Sequence, residues 1–447
     1  MLTAMKKTTK SFVSNIGAVL LLCSHSIVQA EDVNEIYRLA LENDPTIRAA
    51  VAARDAAYET VKVSRGSFMP QIGLDASYSS STSENSASDF SDFDGTTTQY
   101  GVNLRQTIYE KDLLASHQQN KNFVQQAEAD FKTAEQDLII RVATQYFRVL
   151  GALDNLDFSK AEMESNERQL EQIKQRFDVG LVAITDVHEA QARYDLSRSQ
   201  FIAAENLLDN EAEALRRITG RYHKHLAPLQ KETPLDPPDP NDIEHWTKLA
   251  LEQNPTLVAT KFFVEQQQDL VDIQRSGHYP KLDLVASYRN SDSDNNTTGI
   301  EGGETESTSV GVQFRMNLFA GGSISAGVRQ AQQNLTRAME NLEEAGRATQ
   351  ENVRSAFLGV KSAISQVTAL KQAVVSSQSR LKATEAGFDV GTRTTVDVLN
   401  ARSELYDSER LYARARYDYI LQTLRLKQAA GMLNTQDVAD ANSLLQR

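Results

Sequence analysis

The chain is 447 residues long, carries a formal charge of −13 and contains one cysteine. An acidic chain is a poor partner for nucleic-acid phosphates, and its field favours cations over anions. The single cysteine, Cys23, lies in a segment read below as removed, so disulfides, thiolate catalysis and cysteine-ligated metals are excluded from the mature chain.

Residues 1–30 have the layout of a secretory signal peptide. Lys6, Lys7 and Lys10 form a basic lead, Ile16 to Leu22 a short apolar core, and Val28-Gln29-Ala30 a small-residue cleavage site. The apolar run is too short to span a bilayer, and bulky Leu22 argues against a lipid attached to Cys23. Loss of three lysines takes the charge to −16. No later segment is apolar enough for a transmembrane helix, so any membrane crossing must be made by a closed β-barrel.

A first repeat, 31–227, opens with a helix carrying Leu39-Ala-Leu-Glu-Asn-Asp-Pro45-Thr46. Strands are expected at about 70–80 and 99–110. Ile72, Leu74, Ala76 and Tyr78 alternate with polar residues or glycine, as do Val102, Leu104 and Ile108, although Gln106 interrupts the apolar side. The stretch from Ser79 to Thr98 is mostly Ser, Thr and Asp and reads as a long solvated loop. From about 111 to 179 the chain is free of proline, and Val124, Ala127, Phe131, Ala134 and Leu138 keep coiled-coil spacing. A helix of that length measures about 100 Å. Gly180 is placed to end it, and Thr185-Asp186 to cap a return helix over about 186–219.

Pro228, Pro234, Pro237, Pro238 and Pro240 mark an extended linker, 228–242. The second repeat, 243–430, then restates the first. Leu249-Ala-Leu-Glu-Gln-Asn-Pro255-Thr256 answers the opening helix, and Pro280 with Ala286-Ser287-Tyr288 answers Pro70 with Ala76-Ser77-Tyr78. Strands are expected at about 280–290 and 308–319, where Leu282, Leu284, Ala286 and Tyr288, then Val310, Val312, Phe314, Met316 and Leu318, alternate with mostly polar residues. A loop from Asn290 to Ser309 parts them. A long helix over about 323–390, with Val328, Ala331, Leu335, Ala338, Leu342 and Ala345 in heptad register, ends at Gly391. Thr395-Val-Asp397 caps a return helix over about 397–430, and 431–447 forms a tail.

Strands of roughly ten residues suit a transmembrane barrel, and long loops on one side suit an outer-membrane one. Four strands cannot close, and open edges are forbidden in lipid. The chain must therefore pool strands with two, three or four copies in all, a number the pattern leaves open. A soluble β-sandwich beside a coiled-coil rod, a periplasmic coiled-coil adaptor and a structural envelope protein are the competing readings. Two hairpins with four amphipathic strands favour a duct over each. No P-loop or dinucleotide fingerprint is present, and the pair His223 and His225 lacks a third ligand. Neither catalysis, cofactor nor metal is expected.

Arg176-Phe-Asp-Val-Gly-Leu-Val-Ala-Ile-Thr-Asp-Val187 and Gly391-Thr-Arg-Thr-Thr-Val-Asp-Val398 closely resemble the hairpin tips of the TolC outer-membrane efflux family. The resemblance runs from about Glu31 to Asn442. It implies an α+β membrane protein, a homotrimer whose twelve strands form one outer-membrane β-barrel continued by a coiled-coil tunnel through the periplasm. It implies an exit duct for tripartite efflux and type I secretion, passing drugs, bile-salt-like detergents or proteins. The implied partners are a periplasmic adaptor (membrane fusion) protein, an inner-membrane RND, ABC or MFS pump, and outer-membrane lipid. Carried across by position, Arg393 corresponds to an arginine that latches a neighbouring protomer at Thr185 and Asp186. Gln175 and Arg416 correspond to further constriction positions, Asp397 and Asn400 to a cation-selective aperture. Gly180, Leu181, Val182, Gly391 and Thr392 correspond to the adaptor-docking groove. Two departures stand out. Phe388 replaces a tyrosine, removing a hydrogen bond to Asp186, and Asn400 replaces an aspartate, leaving one ring of carboxylates instead of two.

Overall fold

The computed structural model describes residues 30–83, 93–223, 225–295 and 302–446. The signal peptide and the middles of both long loops lie outside them. Each repeat begins with two helices, where one was expected: α1 (Val33–Asn43) and α2 (Pro45–Gly66), then α5 (Ile243–Gln253) and α6 (Pro255–Ser276). The break is local chemistry. Pro45 and Pro255 take the first helical position, which needs no N–H donor. Asp44 accepts from the Thr46 amide at 3.0 Å and Asn254 from the Leu257 amide at 3.2 Å, capping the new helices.

The strands are β1 (Gln71–Ser83), β2 (Phe93–Tyr109), β3 (Lys281–Asn295) and β4 (Gly303–Arg315), antiparallel in the order β1-β2-β3-β4. They run further into the Ser- and Thr-rich stretches than expected. Those stretches are polar on both faces yet paired, with Ser80 opposite Thr96 and Asp292 opposite Glu304. The register puts Ile72 beside Leu104, Leu104 beside Ala286, and Leu282 beside Phe314, so one face of the sheet is continuously apolar. That face is open: Leu74 is 80% exposed and Val310 74%. Gln106 interrupts it by turning its amide onto the backbone carbonyls of Phe68 and Thr107, beside a register shift at Thr107/Tyr109. On the opposite face Asp283 is buried and accepts from Arg105 (2.9 Å), Thr107 (3.2 Å) and Arg315 (3.4 Å). The outer edges of β1 and β4 carry no strand partner within the described chain.

Two helices, α3 (Lys111–Asp178, 68 residues) and α7 (Ser323–Asp389, 67 residues), form the spine. Each pairs with a return helix, α4 (Ile184–Thr219) or α8 (Thr395–Ala429). In the second heptad the small residues lie deepest, with Ala331 and Ala338 buried and Leu335 and Leu342 half-buried, whereas in the first the large Val124 and Leu138 are buried and Ala134 is half-buried. In the first repeat Ala129 is buried and Ala127 only half-buried. Where α4 ends, α2 begins, and Gly220 sits against Asn43. Where α8 ends, α6 begins, and Asn254 donates to the Ala429 carbonyl at 2.9 Å.

The main apolar core belts the middle of the helices, around Tyr146, Phe147, Leu215, Val353, Phe357, Leu424 and Leu426. The linker wraps this belt. Glu31 bridges Leu226, Leu229 bridges Leu445, and Tyr146 donates to the Ala227 carbonyl at 2.8 Å. The tail contains a further helix, α9 (Thr435–Asn442), started by a capping box between Asn434 and Asp437. His223 bonds Thr219 (2.7 Å) and Glu31, a structural arrangement, and no cluster of metal-ligating side chains occurs among the described residues.

Candidate functional site at the hairpin tips

Both tips turn on a left-handed glycine. At Gly180 (φ 78°) and Gly391 (φ 79°) the next amides reach back to the helix, Leu181 to the Arg176 carbonyl and Thr392 to the Gly387 carbonyl, both at 2.8 Å. A Cβ at either glycine would meet nothing within 4 Å. Backbone conformation, and not close helix approach, therefore accounts for both residues.

The return helices start two residues earlier than expected, at Ile184 and Thr395. Ala183 occupies the N-cap position of α4 without a side-chain bond, and Asp186 sits at the third position, its carboxylate accepting from the Ala183 amide at 3.3 Å. Thr394 caps α8 in a full capping box with Asp397. The Asp397 carboxylate accepts from the Thr394 amide and hydroxyl, both at 2.9 Å. Those bonds, helped by Arg393 and Arg380, hold the Asp397 carboxyl below its usual range. Asp397 is thus ionised at neutral pH and faces water.

The two hairpins are strapped together by arginines that sequence reasoning did not single out. From α3, Arg176 lies over the Phe388 ring, 4.7 Å from its centroid, and 3.6 Å from Asp389. From α4, Arg193 donates to Asn400 on α8 at 2.8 Å and to Glu189 at 3.2 Å. From α8, Arg402 donates to Glu385 at 2.8 Å and to Gln169 at 3.4 Å. Between these straps lies a cleft of about 650 Å³ lined by Gln169, Gln172, Gln175, Arg176, Phe388 and Glu385, among others. The strap partners are 207 and 233 residues apart for Arg193–Asn400 and Arg402–Gln169, beyond the reach of local patterns. An arginine in the first turns of each return helix was the one available signal.

The remaining candidate residues fall into place unevenly. Thr185 and Arg393 are exposed at the tips, and among the described residues neither makes a side-chain hydrogen bond or ion pair. Phe388 meets Arg176 and is not brought to Asp186. Gln175 lines the cleft and donates to Glu171 at 3.3 Å. The structure does not bring Arg416 to the tip: it lies roughly 28 Å up α8 from Asp397 at 1.5 Å per residue, bonded to the linker at Thr233 and Gln230. Val182 packs against a small core of Leu170, Ile173 and Ala190, so its apolar character needs no partner, whereas Leu181 stays 74% exposed.

Comparison with known proteins places this geometry. The family model described as "Outer membrane efflux protein" matches residues 36–221 and 246–432, one stretch in each repeat. The chain is 40% identical over 440 residues to the outer membrane protein TolC of Vibrio cholerae, covering 98% of each. It is 28% identical to the alkaline protease secretion protein AprF of Pseudomonas aeruginosa, covering 94% of this chain and 89% of that one. Its fold matches the Campylobacter jejuni CmeC outer membrane channel with a TM-score of 0.78 at 20% identity, covering 93% of this chain and 90% of that chain.

Proposed function

The chain belongs to the outer membrane efflux protein family, and from that premise we propose a homotrimeric duct whose gate is built from the two dissimilar hairpin tips. It is an outer-membrane exit duct for efflux and type I secretion. Ducts of this kind work with a periplasmic adaptor and an inner-membrane pump. In our reading three copies pool twelve strands into one barrel and their helices into one tunnel. The apolar face of the sheet then meets lipid, and the open edges of β1 and β4 pair between protomers. The duct hydrolyses nothing, and the pump supplies the energy.

One observation carries the gate: Arg393 is exposed at the second tip with no side-chain acceptor among the described residues, while Thr185 and Asp186 stand at the first. In a ring of alternating tips the arginine of one protomer faces the acceptors of the next. Exposed ion pairs contribute about 0–1 kcal/mol each, so three sets sum to a few kcal/mol. Reversing a 99:1 equilibrium takes about 5.5 kcal/mol, within reach of an adaptor that prefers the open state. Leu181, with Gly180, Val182, Gly391 and Thr392 shaping the turns, forms the docking surface for that adaptor. Arg393→Ser is expected to raise single-channel conductance in planar bilayers. Unchanged conductance in correctly assembled protein would remove Arg393 from the gate.

A further inference from the structure

Asn400 stands one helical turn above Asp397, the residue that the family resemblance assigns to a cation-selective aperture at this tip, and this inference rests on that assignment. Its side chain is not a neutral bystander. The Asn400 carbonyl oxygen accepts from Arg193 Nη2 at 2.8 Å, across the gap between the two hairpins of one chain. Arg193 is only partly exposed, and its Nε is held by Glu189 at 3.2 Å, so the guanidinium is oriented from both ends. An amide oxygen is a neutral acceptor, so Asn400 itself cancels none of the arginine charge. Glu189, one turn back on α4 and paired with Arg193 Nε, offsets part of that charge.

We infer that Arg193 is a specificity-determining residue of the aperture, which sets a fixed positive charge one turn above the Asp397 carboxylates and thereby limits how tightly the duct binds multivalent cations. In a trimer the ring above Asp397 is then three guanidinium–amide pairs. The charge sequence along the axis reads negative at Asp397 and positive at Arg193. Coulomb interactions over such distances are strong in a narrow low-dielectric passage and fade in salt.

A non-trivial consequence separates this from a simple missing carboxylate. Asn400→Asp alone does not create a free second ring, because Arg193 is already positioned to pair with the new carboxylate. Only when Arg193 is removed as well is that charge released toward the passage.

The test uses the full-length mature protein in planar bilayers with hexaamminecobalt(III) as the blocking cation, comparing Asn400→Asp, Arg193→Gln, the double variant and Asp397→Asn. The expected result is little tightening of block in Asn400→Asp and, in the double variant, a tightening of roughly tenfold or more, the low end of what a one-sign cleft does to counter-ion concentration. Arg193→Gln alone is expected to shift the KCl reversal potential toward higher cation selectivity. Block in Asn400→Asp equal to that of the double variant would overturn the role of Arg193. So would an Arg193→Gln channel of raised conductance but unaltered selectivity, the result expected of a purely structural strap. Undiminished block in Asp397→Asn would instead overturn the aperture reading beneath the inference.

Discussion

Asp154, in the middle of α3, accepts a hydrogen bond from Tyr417 of α8 at 2.6 Å. Burial lifts its carboxyl above the usual range, with the Tyr417 bond and Arg416 working in the opposite direction. The folded state therefore holds this proton more tightly than the unfolded chain, whose aspartates titrate near about 3.9. The stability this group contributes is present at low pH and is lost as pH rises from about 4 through the folded-state value. Asp154→Asn keeps an acceptor for Tyr417 and removes the titration. The melting temperature of the variant relative to the parent is expected to climb between pH 4 and pH 7. A difference independent of pH would contradict the burial argument. At the tips, Asp397 and Asp186 sit at equivalent helix positions, but only Asp397 has a capping hydroxyl beside it.

Among elements, the glycines that end helices are not interchangeable. Gly391 and Gly431 both adopt left-handed conformations, φ 79° and 76°. At Gly391 a Cβ would meet open space, whereas at Gly431 it would lie 2.7–2.8 Å from backbone atoms of Gln253 and Asn254. Gly391→Ala is expected to cost about 1–2 kcal/mol from backbone conformation alone and to leave assembly intact. Gly431→Ala must also push apart the junction of α8 and α6, and is expected to reduce the yield of assembled protein sharply. Equal yields for the two variants would contradict the close packing at that junction. The helix ends at Gly180 and Gly391 were legible in the sequence because a glycine after a long proline-free periodic run has one physical use. The caps lie one to three residues before Thr185-Asp186 and Thr395-Val-Asp397, because Asp186 and Asp397 are acidic residues of the first turn, which favour the same helix start from inside it. The break at Pro45 was visible as a proline, yet α1 and α2 were read as one helix. Pro45 and the Asp44 cap set the break locally, and the burial of Asp44 against Arg141 of α3, a tertiary contact, holds it in place.

At the scale of the molecule, duplication explains the architecture, and divergence between the two tips is the basis of the proposed gate. Each repeat supplies two strands and one hairpin, and the two repeats meet in one sheet through the β2–β3 pairing. Alternating residues such as Leu282, Leu284 and Ala286 made the lipid-facing side of that sheet legible, because a period of two has one meaning in a strand. The extra strand length was not legible, since Ser and Thr pair in a sheet as readily as they solvate a loop. The belt formed by the linker, Tyr146 and α9 was also hidden. It joins segments more than 200 residues apart, such as Leu229 and Leu445, and only the linker announced itself, through its prolines. The placement of Arg416 against that linker, and not at the tip, follows from the same belt.

The central claim is that one chain is a third of a barrel, its β1 and β4 edges closed by neighbours. Outer membranes extracted in mild detergent and run unheated in SDS provide the most direct measurement, with native mass spectrometry counting the chains. The account predicts a heat-modifiable complex of three mature chains in the outer-membrane fraction. A monomer recovered from the soluble periplasm would contradict it.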